Sequence, residues 1–252
     1  MKKFELTTEF ITNAFGKKLF RIKALVEFGN VKAGELGGYV EKEGNISQDG
    51  DAWVCGNAWV YDNARVSGNA RVYGNAWVYG NAWVYGNARV YGNARVCGDA
   101  WVCGNAWVYG NARVSGNARV YGNARVSGNA RVYDNARVYD NARVYDNARV
   151  CDNAWVYGDA WVYGNARVSG NAKVYGDADY ALVQGFGTEF RCTTFYRDKN
   201  KKIMVNCGCF HGDLEEFRKR VKETRNGKIA KEYLTIADLM EYHFASEDSS
   251  DE

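Results

Sequence analysis

The chain has 252 residues and a formal net charge of +3, and 46% of its residues are hydrophobic. A charge this small for this length argues against a dedicated nucleic-acid binder. The seven cysteines are scattered and odd in number, which is typical of a reducing compartment rather than of a disulfide framework. The sequence contains no signal-peptide segment and no long apolar run, so we expect a soluble, intracellular protein without a membrane partner.

The first 35 residues predict a β-structured cap. Two apolar, alternating stretches at residues 4–6 and 19–25 flank a polar segment that contains Gly16. This pattern is typical of a β-hairpin. Such a hairpin would cover the first edge of the structure that follows, which would otherwise be an open template for another chain.

Residues 36–183 are organised by a six-residue unit, Ala-x-Val-x-Gly/Asp-Asn/Asp. The Ala-x-Val step occurs 21 times without insertion, from Ala52 to Val174. Alanine and valine lie two residues apart, so both point to the same side of an extended segment, and the residues after them favour turns. A unit this short cannot bury its apolar side alone. The repeat therefore predicts a solenoid of stacked coils rather than a globular domain.

An aliphatic residue followed four positions later by a small one, as in Val54 and Ala58, resembles the hexapeptide-repeat proteins. The resemblance implies an all-β solenoid, a single-stranded left-handed parallel β-helix of triangular section with three units, or about 18 residues, per coil. The 21 units would then form about seven regular coils and a rod about 34 Å long. We expect the Tyr, Cys or Ser that follows each valine to point into solvent at a corner.

The start of the repeat carries a more specific resemblance. Residues 28–40 and the Ser-Gln-Asp-Gly-Asp run at residues 47–51 resemble YdcK-like β-helix proteins and many phage- and prophage-encoded repeat proteins. Members of that group carry a transferase label because of their hexapeptides, and no established reaction follows from the resemblance. It implies a phage or prophage protein in the cytoplasm of a bacterial host.

The residue between alanine and valine points outward, and it is Arg 12 times, Trp eight times and Lys once. Arginine pairs with phosphate or carboxylate, and tryptophan stacks on planar groups. Side chains repeated in every coil would form Arg, Trp and Tyr ladders, and one face is a candidate surface for a host protein or an anionic small molecule. That face carries Trp59, Trp77, Arg95, Arg113, Arg131, Arg149 and Arg167. The alternative interpretation is that long side chains merely cover the strands, with the arginine charge balanced by nine corner aspartates.

After the repeat, residues 184–245 predict a small α+β unit. Residues 188–210 predict a hairpin with a charged turn. Asp213 and Glu216 predict a capping box at the start of one helix, and a second helix is expected at about residues 228–244. The predicted domain organisation is residues 1–35, 36–183 and 184–245, followed by an acidic, disordered tail at residues 246–252.

No catalytic site is predicted. A hexapeptide acyltransferase is the alternative function, but such enzymes resemble one another in using a histidine base and protruding loops, and the repeat contains neither. The two histidines, His211 and His243, lie outside the repeat. The glycines are periodic turn formers and none precedes a Lys-Ser or Lys-Thr pair, so we expect no cofactor.

A weak metal candidate consists of Cys192, Cys207, Cys209 and His211, since thiolates and imidazole are zinc ligands. A Cys-x-Cys strand also places two small apolar side chains on one face, and we therefore favour structural cysteines without a metal. Both ends of the solenoid are predicted to be capped, and side-by-side homotrimers remain an alternative because many members of the hexapeptide family associate in that way.

Overall fold

The repeat units form the strands of a parallel β-solenoid. In the computed structural model, which describes residues 2–245, each unit contributes a two-residue strand made of the outward residue and its valine. Each strand pairs with the strand one coil away, so the three units of a coil belong to three different sheets. The predicted solenoid is confirmed, with about 18 residues per coil and about eight turns. The left-handed sense stays a prediction from the resemblance.

The three sheets form the three sides of the solenoid, and we call them sheets 1, 2 and 3. The parallel strands of sheet 1 are Leu36–Val40, Trp59–Val60, Trp77–Val78, Arg95–Val96, Arg113–Val114, Arg131–Val132, Arg149–Val150 and Arg167–Val168. Those of sheet 2 are Trp53–Val54, Arg71–Val72, Arg89–Val90, Trp107–Val108, Arg125–Val126, Arg143–Val144 and Trp161–Val162. Those of sheet 3 are Arg65–Val66, Trp83–Val84, Trp101–Val102, Arg119–Val120, Arg137–Val138, Trp155–Val156 and Lys173–Val174.

The inward side chains form one continuous apolar core. Every repeat alanine and valine from Ala52 to Val174 is at most 1% exposed. Because the inward residues are the same in every unit, each valine packs on the valine of the next coil. A fully buried valine contributes roughly 1.5 to 3 kcal/mol, and this contribution recurs at every unit.

Glycine or aspartate occupies the corner position with a positive φ. Gly86 has φ 69°, and a Cβ atom there would lie 3.0 Å from the backbone nitrogen of Gly104. Asp152 adopts φ 58°, and its carboxylate accepts a hydrogen bond from the N–H of Gly170 at 3.0 Å. Short polar side chains tolerate this left-handed region better than other L-residues do, which explains the Gly/Asp alternation in the repeat.

The asparagines of one corner are joined by side-chain hydrogen bonds, and we call this set the asparagine ladder. Each Nδ2 donates to the Oδ1 of the asparagine 18 residues later, at 3.1–3.4 Å. The ladder consists of Asn57, Asn75, Asn93, Asn111, Asn129, Asn147 and Asn165. Such ladders add to the stability of stacked strands. In the sequence these residues were interpreted only as turn formers.

The corner tyrosines also stack on one another. Tyr73 and Tyr91 have ring centroids 4.8 Å apart and planes within 1°. Tyr61 is only 3% exposed, and among the described corner tyrosines only Tyr163 and Tyr175 are exposed. The prediction that the corner residues point into solvent is therefore wrong for the buried Tyr61, and most other corner tyrosines are half-buried because the strand spacing lets neighbouring rings cover each other.

This packing predicts a loss of stability at alkaline pH. Burial, with a hydrogen bond to Cys97, raises the pKa of Tyr79 to about 12, and a hydrogen bond to Cys103 raises the pKa of Tyr85 to about 12. An unfolded tyrosine has a pKa of about 10, so the unfolded chain loses these protons first. Stability should be fully present below about pH 10 and should fall as the pH rises towards about 12. Urea midpoints measured across this range would show the fall, and absorbance of tyrosinate should rise with unfolding. A midpoint that stays constant through this range contradicts the prediction.

The N-terminal cap is the predicted hairpin. Its strands, Phe4–Thr12 and Lys18–Ala24, pair antiparallel, and the second strand pairs antiparallel with Leu36–Val40. The strand Leu36–Val40 in turn pairs parallel with Trp59–Val60. The hairpin therefore extends sheet 1 at its first edge, and Leu36–Val40 belongs to an irregular first coil.

Side chains of the N-terminal region donate hydrogen bonds to carbonyl groups of the first regular coil. Lys3 Nζ donates to the carbonyl oxygens of Gly50 and Ala52, each at 3.0 Å, and Asn45 Nδ2 donates to that of Ala64 at 2.8 Å. Elsewhere in the solenoid the corresponding carbonyls accept N–H groups from the preceding coil. Burial lowers the pKa of Lys3. These contacts satisfy buried backbone groups that would otherwise cost free energy.

The C-terminal unit consists of a four-stranded antiparallel sheet and two helices. The strands are Tyr180–Phe186, Arg191–Arg197, Ile203–Cys207 and Phe210–Asp213, and the helices are α1 (Leu214–Thr224) and α2 (Gly227–His243). The predicted hairpin is the central strand pair, and the predicted capping box is confirmed by the reciprocal bonds of Asp213 and Glu216, both 2.9 Å. Short 3-10 turns occur at Glu43–Asn45 and Asp177–Asp179. The tail predicted to be disordered lies outside the described residues.

Two side chains of the C-terminal unit form hydrogen bonds with the backbone of the last strand of sheet 1. Thr194 Oγ1 accepts a hydrogen bond from the N–H of Arg167 at 3.0 Å, and Asn206 Nδ2 donates to the carbonyl oxygen of Arg167 at 2.8 Å. An acceptor and a donor thus replace the strand that a further coil would supply. The solenoid is capped at both ends of sheet 1.

Candidate functional site

The five arginines predicted as a ligand or partner surface lie in one line on sheet 1. We call Arg95, Arg113, Arg131, Arg149 and Arg167 the arginine row. Each pairs in register with the next, so their Cα atoms follow one another at the strand spacing of about 4.8 Å. The 18-residue period thus predicted the alignment of the row correctly.

The two tryptophans of the predicted surface begin the same line, but their rings are occupied. Trp59 and Trp77 stack with centroids 4.8 Å apart and planes within 3°. The guanidinium carbon of Arg95 lies 4.3 Å from the centroid of Trp77 on the adjacent coil. Trp77 thus has a neighbour in the line on each side, which leaves no free ring face for a planar ligand to stack on. This stacking stabilises the solenoid, and any ligand recognition on this side must come from the arginines.

The other four arginines of the row have no such partner. Among the described side chains, no carboxylate oxygen lies within 4.0 Å of a guanidinium nitrogen of Arg113, Arg131, Arg149 or Arg167. None of the four lies over a described aromatic ring, and all four side chains are exposed.

The described corner aspartates form no ion pair with the row. The carboxylates of Asp62, Asp146 and Asp152 instead accept the N–H groups of the glycines 18 residues later, at 3.0–3.2 Å. Asp134 borders the row without an ion pair to it. The described corner aspartates therefore form no ion pair with these four arginines, and charge balance at longer range stays the alternative interpretation.

Most arginines on sheets 2 and 3 lie over tryptophan rings. On sheet 3, Arg119 lies 4.7 Å from the ring centroid of Trp101 and Arg137 lies 4.8 Å from that of Trp155. Such contacts contribute roughly 0.5 to 1 kcal/mol at exposed sites. The same type of contact on sheets 2 and 3 involves Arg65, Arg89, Arg125, Arg143 and Lys173. Sheet 1 is thus the face with the longest run of arginines free of aromatic partners.

The central arginines of the row border a shallow groove. It has a volume of about 260 Å³ and is lined by Arg113, Arg131 and Arg149 together with Ser115, Tyr133 and one acidic residue, Asp134, so positive charge is in excess. Guanidinium groups that are exposed and not paired can donate several hydrogen bonds to a carboxylate or a phosphate. The groove therefore has the chemistry of an anion-binding surface.

The C-terminal sheet separates the residues of the weak metal candidate. Cys192 Sγ donates to the carbonyl oxygen of Asn165 at 3.4 Å, and His211 Nε2 lies 3.1 Å from the hydroxyl of Tyr196, both on the side that faces the solenoid. Cys207 packs on the other side, against the helices, where it accepts a hydrogen bond from Thr193 Oγ1 at 3.1 Å. No group of three or more metal-ligating side chains occurs within the part of the chain that the structure describes.

The two histidines belong to the C-terminal unit, outside the repeat. His211 lies within hydrogen-bond distance of Tyr196 and its ring lies beside the corner glycine Gly170, and the ring of His243 packs at 4.9 Å against Phe244 in the C-terminal unit.

The family comparison agrees with the geometry of the solenoid. A family model described as the YdcK beta solenoid repeat matches overlapping segments that together cover residues 58–104 and 106–176. No curated protein matches the chain. No helix within residues 2–245 is both long and apolar enough to span a membrane. The protein is a β-solenoid repeat protein. Within that class it resembles YdcK.

Proposed function

We propose that this is a non-catalytic binding or scaffold protein of the phage or prophage type, which uses its arginine row to dock an acidic protein in the cytoplasm of a bacterial host. The observation that carries the proposal is the run of Arg113, Arg131, Arg149 and Arg167, exposed and in register, without a described carboxylate or aromatic partner. The coil repeat keeps their Cα atoms at a constant spacing. A linear, preorganised set of cations suits an acidic segment that can lie along the rod.

The rigid scaffold supports this role. Registered strands and a continuous core hold the row without a loop that would have to become ordered on binding. Preorganisation lowers the entropic cost of association. The exposed side chains remain mobile at their tips, so the surface can adapt to carboxylates of somewhat different spacing.

A double charge reversal tests the proposal. The variant Arg113→Glu with Arg131→Glu should bind poly-glutamate, as a model of an acidic protein segment, about tenfold or more weakly at physiological salt. Two attractive contacts become repulsive, and tenfold corresponds to about 1.4 kcal/mol. The affinity is measured by fluorescence anisotropy of labelled poly-glutamate, with the melting temperature as a check of folding.

The matched control is Arg119→Glu with Arg137→Glu on sheet 3, which changes the net charge by the same amount on a face whose arginines cover tryptophans. We expect this control to keep most of the affinity. Equal weakening of both variants would show that net charge, not the arginine row, determines binding.

Native mass spectrometry of the protein purified gently from its natural host then identifies the partner. An acidic protein at fixed stoichiometry that is lost in the Arg113/Arg131 variant supports the proposal. A bound small anion, a homotrimer without a partner or a bare monomer contradicts docking to an acidic protein.

A further inference from the structure

The C-terminal unit and the last coils of the solenoid border a solvent-open cavity at the end of the arginine row. The cavity has a volume of about 300 Å³. Asn147, Arg149, Asn165 and Arg167 line it from the solenoid, and Cys192 and Asn206 are among the residues that line it from the C-terminal unit. It adjoins the groove in the middle of the row, with which it shares Arg149.

The lining of this cavity is positively charged. It includes two arginines and no carboxylate. Arg149 and Arg167 pair in register, so their Cα atoms are about 4.8 Å apart, and neither has a described ion-pair partner. Two positive charges on adjacent strands repel each other, and an anion between them relieves the repulsion.

The asparagine ladder ends at the same place. Asn165 Oδ1 accepts a hydrogen bond from Asn147 Nδ2 at 3.3 Å, as in the rest of the ladder. The next position of the repeat would be residue 183, but Val183 belongs to the C-terminal sheet and offers no side-chain acceptor. The Nδ2 of Asn165 therefore has no acceptor among the described residues. The ladder ends in a free amide donor at a residue that lines the cavity, and the aligned amides behind it polarise that donor.

Hydrogen bonds hold in place the wall of the cavity that the C-terminal unit contributes. Asn206 is only 6% exposed, and its Nδ2 lies within hydrogen-bond distance of Arg167 O (2.8 Å), Ser169 Oγ (3.0 Å) and Tyr196 Oη (3.2 Å). In the same sheet, the thiol of Cys192 donates to the carbonyl oxygen of Asn165. Both contacts fix the C-terminal unit to the last coil, so the wall that this unit contributes to the cavity has a defined position.

We propose that this cavity binds the phosphate group of a small phosphorylated molecule. Arg149 and Arg167 supply charge-assisted hydrogen bonds, and Asn165 Nδ2 donates a further one from the neighbouring corner. Donors from three side chains suit a tetrahedral oxyanion, whereas a planar carboxylate has only two oxygens to accept them. The site shares Arg149 and Arg167 with the proposed docking surface, and Asn165, which lies outside the arginine row, distinguishes it from that surface.

Titration of the full-length protein with inorganic phosphate, followed by isothermal calorimetry at constant ionic strength, tests this site. We expect one saturable site per chain and at least a tenfold loss of affinity in Arg167→Gln. Asn165→Asp should abolish measurable binding because it places a carboxylate beside the anion. The ladder tolerates this change elsewhere: Asp99 and Asp159 occupy equivalent corner positions and accept from Asn81 and Asn141 at 2.9 and 3.0 Å.

Two variants outside the cavity serve as controls. Arg113→Gln removes the same charge from the same row, and Asn129→Asp makes the same ladder substitution two coils earlier; both should bind phosphate within about twofold of the parent. The proposal is overturned if the parent shows no saturable binding, or if the controls weaken binding as much as the cavity variants do. Binding of acetate as tight as that of phosphate would also overturn it. Phosphate binding that persists in the Arg113→Glu/Arg131→Glu variant separates this site from the proposed docking surface.

Discussion

Deletion of residues 2–24 should convert the protein into an aggregating species. The deletion removes the hairpin and opens the edge of Leu36–Val40, whose partners in the hairpin include Phe20 and Arg21. It also removes Lys3, leaving two carbonyl groups without their donor. An open sheet edge above an apolar core is a template for another chain. Size-exclusion chromatography with light scattering should therefore show large oligomers, and fibre diffraction should show a spacing of about 4.8 Å.

The matched control is deletion of residues 113–130, which removes one complete coil. Every remaining inward position is still Ala or Val, and Arg131 then follows Arg95 in the row, so both caps keep their contacts. We expect this variant to stay in solution with the oligomeric state of the parent and to unfold in a single transition. If the hairpin deletion keeps the parent's oligomeric state and melting temperature, the cap has no protective role.

Replacement of Val132 by aspartate should destabilise the protein by about 4 kcal/mol or more. The residue is fully buried between Val114 and Val150, with which it pairs in register. The substitution loses apolar burial and places a carboxylate where no described donor can reach it, and both effects are unfavourable. Urea unfolding followed by circular dichroism measures the change in the free energy of unfolding.

The control for this prediction is Arg131→Asp. It introduces the same side chain one residue earlier, on the outward side of the same strand, where Arg131 is exposed. We expect a change within about 0.5 kcal/mol. Hydrogen exchange should show that Val132→Asp opens its own coil and the adjacent coils first, because each coil contacts only its neighbours. A loss below about 1 kcal/mol in Val132→Asp would contradict the packing of the core.

The line of the arginine row could be predicted from the sequence because it follows from the period. Residues 18 positions apart lie on the same face whatever their identity, and the strand register confirms this for Arg95 to Arg167. The contacts that each arginine side chain makes could not be predicted in the same way. Whether an arginine covers a tryptophan or stays free depends on the residue in the next coil and on the rotamers that both adopt, as Arg95 and Arg113 illustrate.

The hydrogen bonds of the asparagine ladder could have been predicted, since the asparagines recur at the coil period. They were missed because asparagine was considered only for its turn conformation. The outer strands of the C-terminal sheet are a different case: Tyr180–Phe186 and Phe210–Asp213 carry no clear alternation, and their pairing partners define them.

The sequence by itself determined the solenoid, its three faces, the hairpin and the capped helix α1, because each depends on a local or periodic pattern of side chains. Only the tertiary structure decided which tryptophan faces are covered, how Thr194 and Asn206 close the last strand, and where the C-terminal unit borders the end of the asparagine ladder. The two contacts that close the last strand join residues 27 and 39 positions apart. The repeat period does not relate such residues, so their contact depends on how the last coil of the solenoid and the C-terminal sheet pack against each other.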